Sequence, residues 1–311
     1  MKKTYQLVAF ILLFLLVFIV NQAFDHEDYS IHSTQNDSWL NISDEPKCKD
    51  CHSDLIEKKE VHAPAVESCD DCHQVNIKEH AENGVLGLNL TEKLPELCFN
   101  CHDDVKSNLD TIRNVHKAVI SMKGCVSCHS PHSSGEKKLL VLDEKKLCLG
   151  CHSNDISSDG KRLVNIEKLV STAKVIHPPL ESDGCAVCHL PHGSSNNYLL
   201  KGAFPSGNYA PAKKENFAFC WECHDSDLFD LAVTSTATNF RDSTKNLNYI
   251  HLKGKNSRSC VVCHNIHASQ NLHLIEDKVP YGQWILPIRY KPNENGGSCF
   301  PGCHSEKSYS R

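Results

Sequence analysis

The sequence predicts a mostly irregular chain with short α-helices, in which bound groups take the place of much of the apolar core. Of the 311 residues, 18 are Cys and 20 are His, whereas aromatic residues make up only 7%. The cysteines fall into nine short motifs, so each motif has about thirty residues of chain, too few to bury an apolar core of its own. The fold class therefore depends on what the motifs bind.

Eight motifs have the spacing C-x-x-C-H, with a histidine directly after the second cysteine. Their cysteines are Cys48 and Cys51, Cys69 and Cys72, Cys98 and Cys101, Cys125 and Cys128, Cys148 and Cys151, Cys185 and Cys188, Cys220 and Cys223, and Cys260 and Cys263. Their histidines are His52, His73, His102, His129, His152, His189, His224 and His264. The ninth motif, "CFPGCH", has one extra residue between Cys299 and Cys303, and His304 follows.

Three kinds of site use paired cysteines. Disulfides give no reason for a histidine after every pair, and zinc ribbons use C-x-x-C pairs two at a time, which leaves one of nine pairs over. C-x-x-C-H is the attachment signature of c-type haem, in which both sulfurs bond the porphyrin and the histidine binds the iron. The sequence therefore predicts nine covalently attached haem c groups. A local disulfide or an unfilled site is the alternative at Cys299 and Cys303.

Each haem iron needs a second axial ligand, and methionine is nearly absent. Met1 lies in the N-terminal segment and Met122 lies only three residues before Cys125, so Met/His ligation is excluded for almost every haem. Eight of the eleven other histidines recur in four similar units, each with a leading His, a motif, a trailing His and a second motif. The leading residues are His62, His116, His177 and His251, and the trailing residues are His80, His132, His192 and His267. We expect these eight to be distal iron ligands, each binding the haem of the adjacent motif or that of a neighbouring motif. A single histidine of this kind, outside the repeats, would be interpreted as a surface side chain.

The Cys48 haem stands outside the four units, so its distal ligand is expected from the three remaining histidines. His32 is the preferred candidate, and His26 and His273 are the others. Residues 25–47 form a polar, acidic linker, where a ligand would be held less firmly than in a packed unit. We therefore expect this haem to be the first to lose its sixth ligand.

The N-terminal segment, residues 1–24, begins with "MKK" and continues with an apolar run from Leu7 to Val20. This pattern predicts a signal peptide or an N-terminal membrane anchor, and the poor cleavage site after Ala23 favours the anchor. Either one places the nine-haem region, residues 48–311, in the periplasm or at the cell exterior, with the possibility of anchoring in the cytoplasmic membrane. The net charge of −5 and the lack of a long basic run argue against nucleic-acid binding.

The stretches "CVSCHSPH" and "CAVCHLPH", which alternate with "LCFNCH" and "LCLGCH", resemble the doubled-CxxCH family of multihaem cytochromes c, including cytochrome c3- and c7-like electron carriers. The resemblance covers residues 48–304 and implies a haem-packed core, with haems edge to edge along a helix-poor chain. The sequence departs from the family pattern at "CHQVNIKEH", before His80, and at the ninth motif. A seam between five and four haems is expected near residues 153–176, where 161–176 has the pattern of an amphipathic helix.

The predicted function is electron transfer, because iron with two histidine ligands has no position open to a substrate. The expected partners are redox proteins, such as a membrane quinol oxidoreductase or outer-membrane and extracellular cytochromes, and the inner membrane through an uncleaved N-terminal helix. A multihaem reductase of nitrite, hydroxylamine or a sulfur oxyanion is the alternative. It would require one open haem site, and the C-x-x-C-K attachment that many such enzymes use is absent from the sequence.

Overall fold

The computed structural model describes residues 47–83, 87–158, 161–205 and 207–311. The predictions for the N-terminal segment and for His26 and His32 lie outside the described residues. Residues 48–311 form one unit. Within the described ranges, no helix is both long enough and apolar enough to cross a membrane.

The helices are short, and many of them are the turns that carry the attachment motifs. The α-helices are α1 Cys48–Cys51, α2 Ala63–Glu67, α3 Ile77–Asn83, α4 Glu96–Phe99, α5 Asp103–Thr111, α6 Glu144–His152, α7 Ile166–Thr172, α8 Pro178–Ser182, α9 Ala218–Trp221, α10 Asp227–Asp230 and α11 Leu247–Lys253. Single 3₁₀ turns cover Ser53–Ile56, Gly124–Ser127, Lys137–Leu139, Asn197–Leu199, Lys214–Phe217, Cys260–Val262 and Leu272–Leu274.

The strands are also short, at two to four residues each. They are β1 Glu60–Val61, β2 His73–Val75, β3 Leu88–Leu90, β4 Asn114–Val115, β5 Ser133–Ser134, β6 Ile156–Ser158, β7 Lys161–Leu163, β8 Val175–Ile176, β9 Gly193–Ser194, β10 Arg241–Asp242, β11 Lys245–Asn246, β12 Ala268–Ser269, β13 Lys278–Tyr281, β14 Trp284–Pro287, β15 Lys291–Asn293, β16 Gly296–Cys299 and β17 Lys307–Ser310. Local hairpins join β2 to β3, β6 to β7, β10 to β11 and β13 to β14, and β15, β16 and β17 form one antiparallel sheet.

The amphipathic segment 161–176 is helical only in α7, and the two ends of the segment are strands. At its N-terminal side β7 pairs with β6, and Asn165 then caps α7 by accepting a hydrogen bond from the backbone of Lys168 at 2.7 Å. At its C-terminal side β8 pairs with β12, about ninety residues further along the chain. Tertiary pairing thus shortens the helix that the sequence pattern predicts.

Three ladders join segments that are distant in the sequence. Strand β1 pairs with β5, β4 pairs with β9, and β8 pairs with β12, each antiparallel over two residues. Each ladder brings the residues just before a leading histidine against the residues just after the trailing histidine of the next unit. The ladders therefore connect consecutive units rather than closing each unit on itself.

Buried apolar side chains are few. In the described part of the chain they are Leu200, Ala210, Phe217, Phe229, Leu252, Val262, Ala268, Val279 and Ile288. Ala210, Phe217, Phe229 and Leu252 form one cluster in the C-terminal third, against which Trp221 and Cys260 pack. Buried apolar side chains therefore form only a small core in the described residues.

Candidate functional site

The eight C-x-x-C-H motifs form the same tight turn. In seven of them the backbone N–H of the histidine donates to the carbonyl of the first cysteine at 2.9–3.1 Å. The Cys148 motif lies inside α6 and has the same helical turn. Because positions i, i+3 and i+4 share one side of such a turn, both sulfurs and the imidazole lie on that side. No two of the eighteen cysteines form a disulfide.

The ninth motif has a different backbone. Cys299 is the last residue of β16, and the N–H of His304 donates to Pro301 at 3.5 Å instead of to the first cysteine. The extra residue and the Pro301–Gly302 pair explain the difference, since they interrupt the helical register. Cys299 and Cys303 form no disulfide with each other.

Seven motif histidines each face the ring of a second histidine, with ring centres 5.8–6.3 Å apart. The pairs are His52 with His80, His62 with His102, His73 with His132, His116 with His152, His129 with His192, His177 with His224, and His189 with His267. In four of the pairs the ring planes differ by only 11–17°.

This spacing fits two imidazoles on opposite sides of one iron. A metal–imidazole bond is about 2 Å long and the ring centre lies about 1 Å beyond the nitrogen, so two axial histidines have centres about 6 Å apart. Rings in direct stacking contact would lie closer together than this. In the part of the chain that the structure describes, no group of three or more His, Cys, Asp or Glu side chains is arranged to bind a metal ion directly. The histidines instead face each other in twos.

The pairs follow one rule along the chain. A leading histidine faces the second motif of its own unit, as His62 faces His102. A trailing histidine faces the first motif of the preceding unit, as His132 faces His73. In the first unit, the trailing His80 reaches back to His52.

His52 faces a histidine that was not among the expected candidates His32, His26 and His273. The structure places His80, on helix α3, next to His52. Every later trailing histidine also faces the first motif of the preceding unit, so in its histidine pairing the Cys48 motif behaves as the first motif of a unit. His273 lies instead near His264.

Backbone bonds hold the facing rings in place. The N–H of the leading histidine in the first three units donates to the carbonyl of the next unit's trailing histidine: His62 to His132 at 2.8 Å, His116 to His192 at 3.0 Å and His177 to His267 at 2.9 Å. The Nδ1 atoms of His62 and His116 also lie 2.8 and 2.9 Å from the carbonyls of Pro131 and Pro191. A nitrogen that donates to a carbonyl fixes the tautomer, which leaves Nε2 free to bind a metal.

The motif histidines of the three "CHxxH" segments are fixed in the same way. The Nδ1 atoms of His129 and His189 lie 2.8 Å from the carbonyls of Lys138 and Tyr198, and that of His264 lies 2.7 Å from the carbonyl of His273. All three acceptors have left-handed backbone, with φ of 57–59°. The left-handed backbone orients the carbonyl of the acceptor residue toward the imidazole of the motif histidine, and the side chain of the acceptor residue takes no part in this bond.

Burial keeps several paired imidazoles neutral. It lowers the pKa of His267 to about 4, and the nearby His189 and His177 lower it further. The pKa of His132 and of His152 is also lowered, first by burial and then by neighbouring histidines. A neutral imidazole is the form that binds a metal.

The attachment motifs contact one another in the order of the sequence. First cysteines of consecutive motifs share a hydrogen bond in the pairs Cys48–Cys69, Cys98–Cys125, Cys148–Cys185 and Cys220–Cys260. At the other junctions the second cysteines are near enough to act on each other electrostatically: burial raises the pKa of one thiol, and the neighbouring cysteine is a smaller cause in the same direction. These pairs are Cys72–Cys101, Cys128–Cys151, Cys188–Cys223 and Cys263–Cys303. Each motif thus has a cysteine near one cysteine of the next motif.

Three buried serines support the site, and sequence reasoning did not single them out. Ser134, Ser194 and Ser269 each follow a trailing histidine by two positions and are 2–4% exposed. Their hydroxyls donate to the carbonyls of Leu140, Leu200 and Ile275, which closes the left-handed turn under the motif histidine. The signal was present in the sequence as a serine at a fixed distance after three of the four trailing histidines.

The family model of the doubled CXXCH motif matches the chain three times, at residues 62–107, 116–157 and 177–228. The chain belongs to the doubled-CXXCH family. CXXCH motifs carry covalently bound haem c, so this doubled-CXXCH protein is a multihaem c-type cytochrome that works in electron transfer. The fourth unit, with the ninth motif, lies outside the matched residues. No curated protein matches the chain significantly.

Proposed function

We propose that this chain carries nine haems in the order of their motifs and conducts electrons along them between redox partners outside the cytoplasm. The observation that carries the proposal is the combination of facing histidine pairs with motifs that lie next to one another in sequence order. Each motif has a cysteine near one of the next motif, and each such cysteine would hold the edge of a porphyrin. Because electron tunnelling falls off steeply with distance, neighbouring porphyrin edges are what a conductor needs.

Histidine pairs would hold the iron of at least the first seven haems. A bound haem supplies reversible one-electron transfer at an iron whose two axial positions are filled. The chain's own residues position the rings, fix their tautomers and keep them neutral. The proposal includes a haem-packed core, and two buried arginine atoms support it. Arg241 Nε and Arg258 Nη1 have no hydrogen-bond partner in the described residues. Since buried donors are normally paired, the propionate carboxylates of a haem would be suitable acceptors.

The haem on the ninth motif would take His251 as its distal ligand. His251 is the leading histidine of the fourth unit, so it has the position that His62, His116 and His177 have in theirs. Burial lowers the pKa of His251, and the nearby His304 lowers it further. The two imidazoles are thus near each other without being in the ring contact of the other pairs.

The location and the partners follow from the N-terminal segment and from the haems. Attachment of haem c and an exported chain go together, so we place residues 48–311 in the periplasm or at the cell exterior. A retained anchor would put the Cys48 end of the series near a membrane quinol oxidoreductase. The Cys303 end would then meet the acceptor, such as an outer-membrane or extracellular cytochrome.

The proposal is tested on the full chain, produced with haem attachment. Intact mass should exceed that of the processed polypeptide by nine haem masses. A potentiometric titration should show the haems with histidine pairs at low potential, because two imidazoles favour ferric iron relative to Met/His ligation. Several haems well above the standard hydrogen potential, or a mass gain of fewer than eight haems, would overturn the proposal. A gain of eight would locate an unfilled site, expected at Cys299 and Cys303.

A further inference from the structure

The eighth attachment site breaks the pairing rule. The first motif of a unit faces a trailing histidine from the next unit, as in His73 with His132, His129 with His192, and His189 with His267. His264 is the motif histidine that comes next in this series. Among the described residues, no histidine ring faces that of His264 as the rings face each other in these three pairs.

The proximal half of this site is nevertheless complete. The N–H of His264 closes the usual turn to Cys260 at 3.0 Å, and its Nδ1 lies 2.7 Å from the carbonyl of His273. Cys260 contacts Cys220, and Cys263 lies near Cys303, so the site has its place in the series. The difference is therefore confined to the distal side.

His273 cannot serve as the distal ligand from where it lies. It occupies the turn position that Lys138 and Tyr198 occupy in the two preceding repeats, with the same left-handed backbone. The carbonyl of that residue accepts the Nδ1 bond of the motif histidine, so the residue lies behind the proximal imidazole, on the side away from the iron. The other unpaired histidine, His251, lies near His304.

We infer that the haem on Cys260 and Cys263 has a sixth coordination position that the packed units leave open to small ligands of haem iron, such as cyanide, nitrite or nitric oxide. The inference rests on the proposed function, since it requires the haems to be attached. It moves the open position from the Cys48 haem, where the sequence suggested it, to the other end of the series. It also gives the reductase alternative a specific location.

The test uses the full haem-loaded chain, and the haem count from intact mass is read first. If the haems are absent, the proposed function fails; if they are present, the ferric EPR spectrum decides the inference alone. We expect one high-spin iron per chain, which turns low-spin on titration with one equivalent of cyanide. A spectrum with only low-spin iron would overturn the inference, whichever residue supplied the ligand.

Two matched variants locate the open haem. Removing the eighth haem with the double substitution Cys260→Ser and Cys263→Ser should abolish the high-spin signal and lower the mass by one haem. Removing the fourth haem with Cys125→Ser and Cys128→Ser should leave the high-spin signal and remove one low-spin iron. If either variant fails to accumulate, diffraction from cyanide-soaked crystals of the unmodified protein gives the location. Cyanide bound at any haem other than that of His264 would overturn the inference.

Discussion

The backbone N–H of His62 donates to the carbonyl of His132 at 2.8 Å, yet the two imidazoles face different partners. The ring of His62 lies 6.2 Å from that of His102, and the ring of His132 lies 6.0 Å from that of His73. One antiparallel bridge thus sets the positions of two histidines that face two different motifs. The arrangement recurs twice further along the chain, so consecutive units depend on each other for the positions of their paired histidines.

The pairing of His80 with His52 predicts the ligand of the first haem. His80→Ala should leave that haem five-coordinate and add one high-spin iron to the ferric EPR spectrum, and added imidazole should restore the low-spin form. His273→Ala is the matched control, since His273 faces no ring, and it should add no high-spin iron. If His80→Ala changed nothing, then His52 would have another partner.

The buried hydroxyl of Ser194 predicts a cost in stability. Ser194→Ala would remove two hydrogen bonds of a buried turn, the 2.6 Å bond to the carbonyl of Leu200 and the 2.9 Å bond from the N–H of Asn196, and would leave the carbonyl only its bond from the Asn196 side chain. Loss of such a bond lowers the free energy of unfolding by about 1–3 kcal/mol. Thermal unfolding of the haem-loaded protein should show the lower midpoint, whereas the exposed Ser195→Ala should leave it unchanged. Equal midpoints for the two variants would show that the turn does not depend on this hydroxyl.

Gly193 has no room for a side chain at a cross-unit ladder. Its φ is +155°, and a Cβ there would lie 2.7 Å from the carbonyl oxygen of Asn114 and 3.0 Å from Cα of Val115. Gly193→Ala should therefore force β4 and β9 apart, destabilise the protein by about 1–3 kcal/mol and loosen the neighbouring His192. The readouts are the unfolding midpoint and the high-spin fraction in EPR.

Gly135→Ala is the control for that substitution, because a Cβ at Gly135 meets nothing within 4 Å. It should leave both readouts unchanged. If Gly193→Ala and Gly135→Ala behaved alike, the close approach of the two strands would not be needed to hold the ligand.

Replacing a distal histidine with methionine should create one haem of high potential within the series. His192→Met would give the Cys125 haem a thioether ligand and raise its potential on the order of 0.1 V, within the range of about 0.8 V that axial ligands span. A potentiometric titration should show one haem moved upward and the others unchanged. Leu190→Met, in the same segment, should move none. A titration curve that stayed unchanged in His192→Met would argue against ligation by His192.

The sequence predicted the nine motifs and the four units, and it predicted which eight histidines are distal ligands as a group, because the motifs and these histidines recur at similar spacings. It left open which histidine faces which motif, since a trailing histidine such as His132 lies close in sequence to Cys125 but faces the Cys69 motif of the preceding unit. This pairing depends on two-residue strands such as β1 and β5, which are too short to be recognised from a sequence pattern. The structure also places His80, which the sequence assigned to the first unit, next to His52 of the Cys48 motif.

The short amphipathic segment shows a second limit. Residues 161–176 have helical periodicity, but only Ile166–Thr172 are helical, because strand partners distant in sequence take both ends. Local periodicity does not report such partners. The ninth motif, in contrast, was recognisable as an exception from its extra residue alone.

The most direct test of this account is anomalous diffraction at the iron edge from crystals of the haem-loaded protein, which gives the position and the axial ligands of every iron. The account predicts nine irons spaced along one unbranched series in motif order, with His132 bound to the haem on Cys69 and Cys72. It also predicts that His264 is the only protein ligand of its iron. A branched arrangement of the irons, or His132 bound to the haem of its own Cys125 motif, would contradict it.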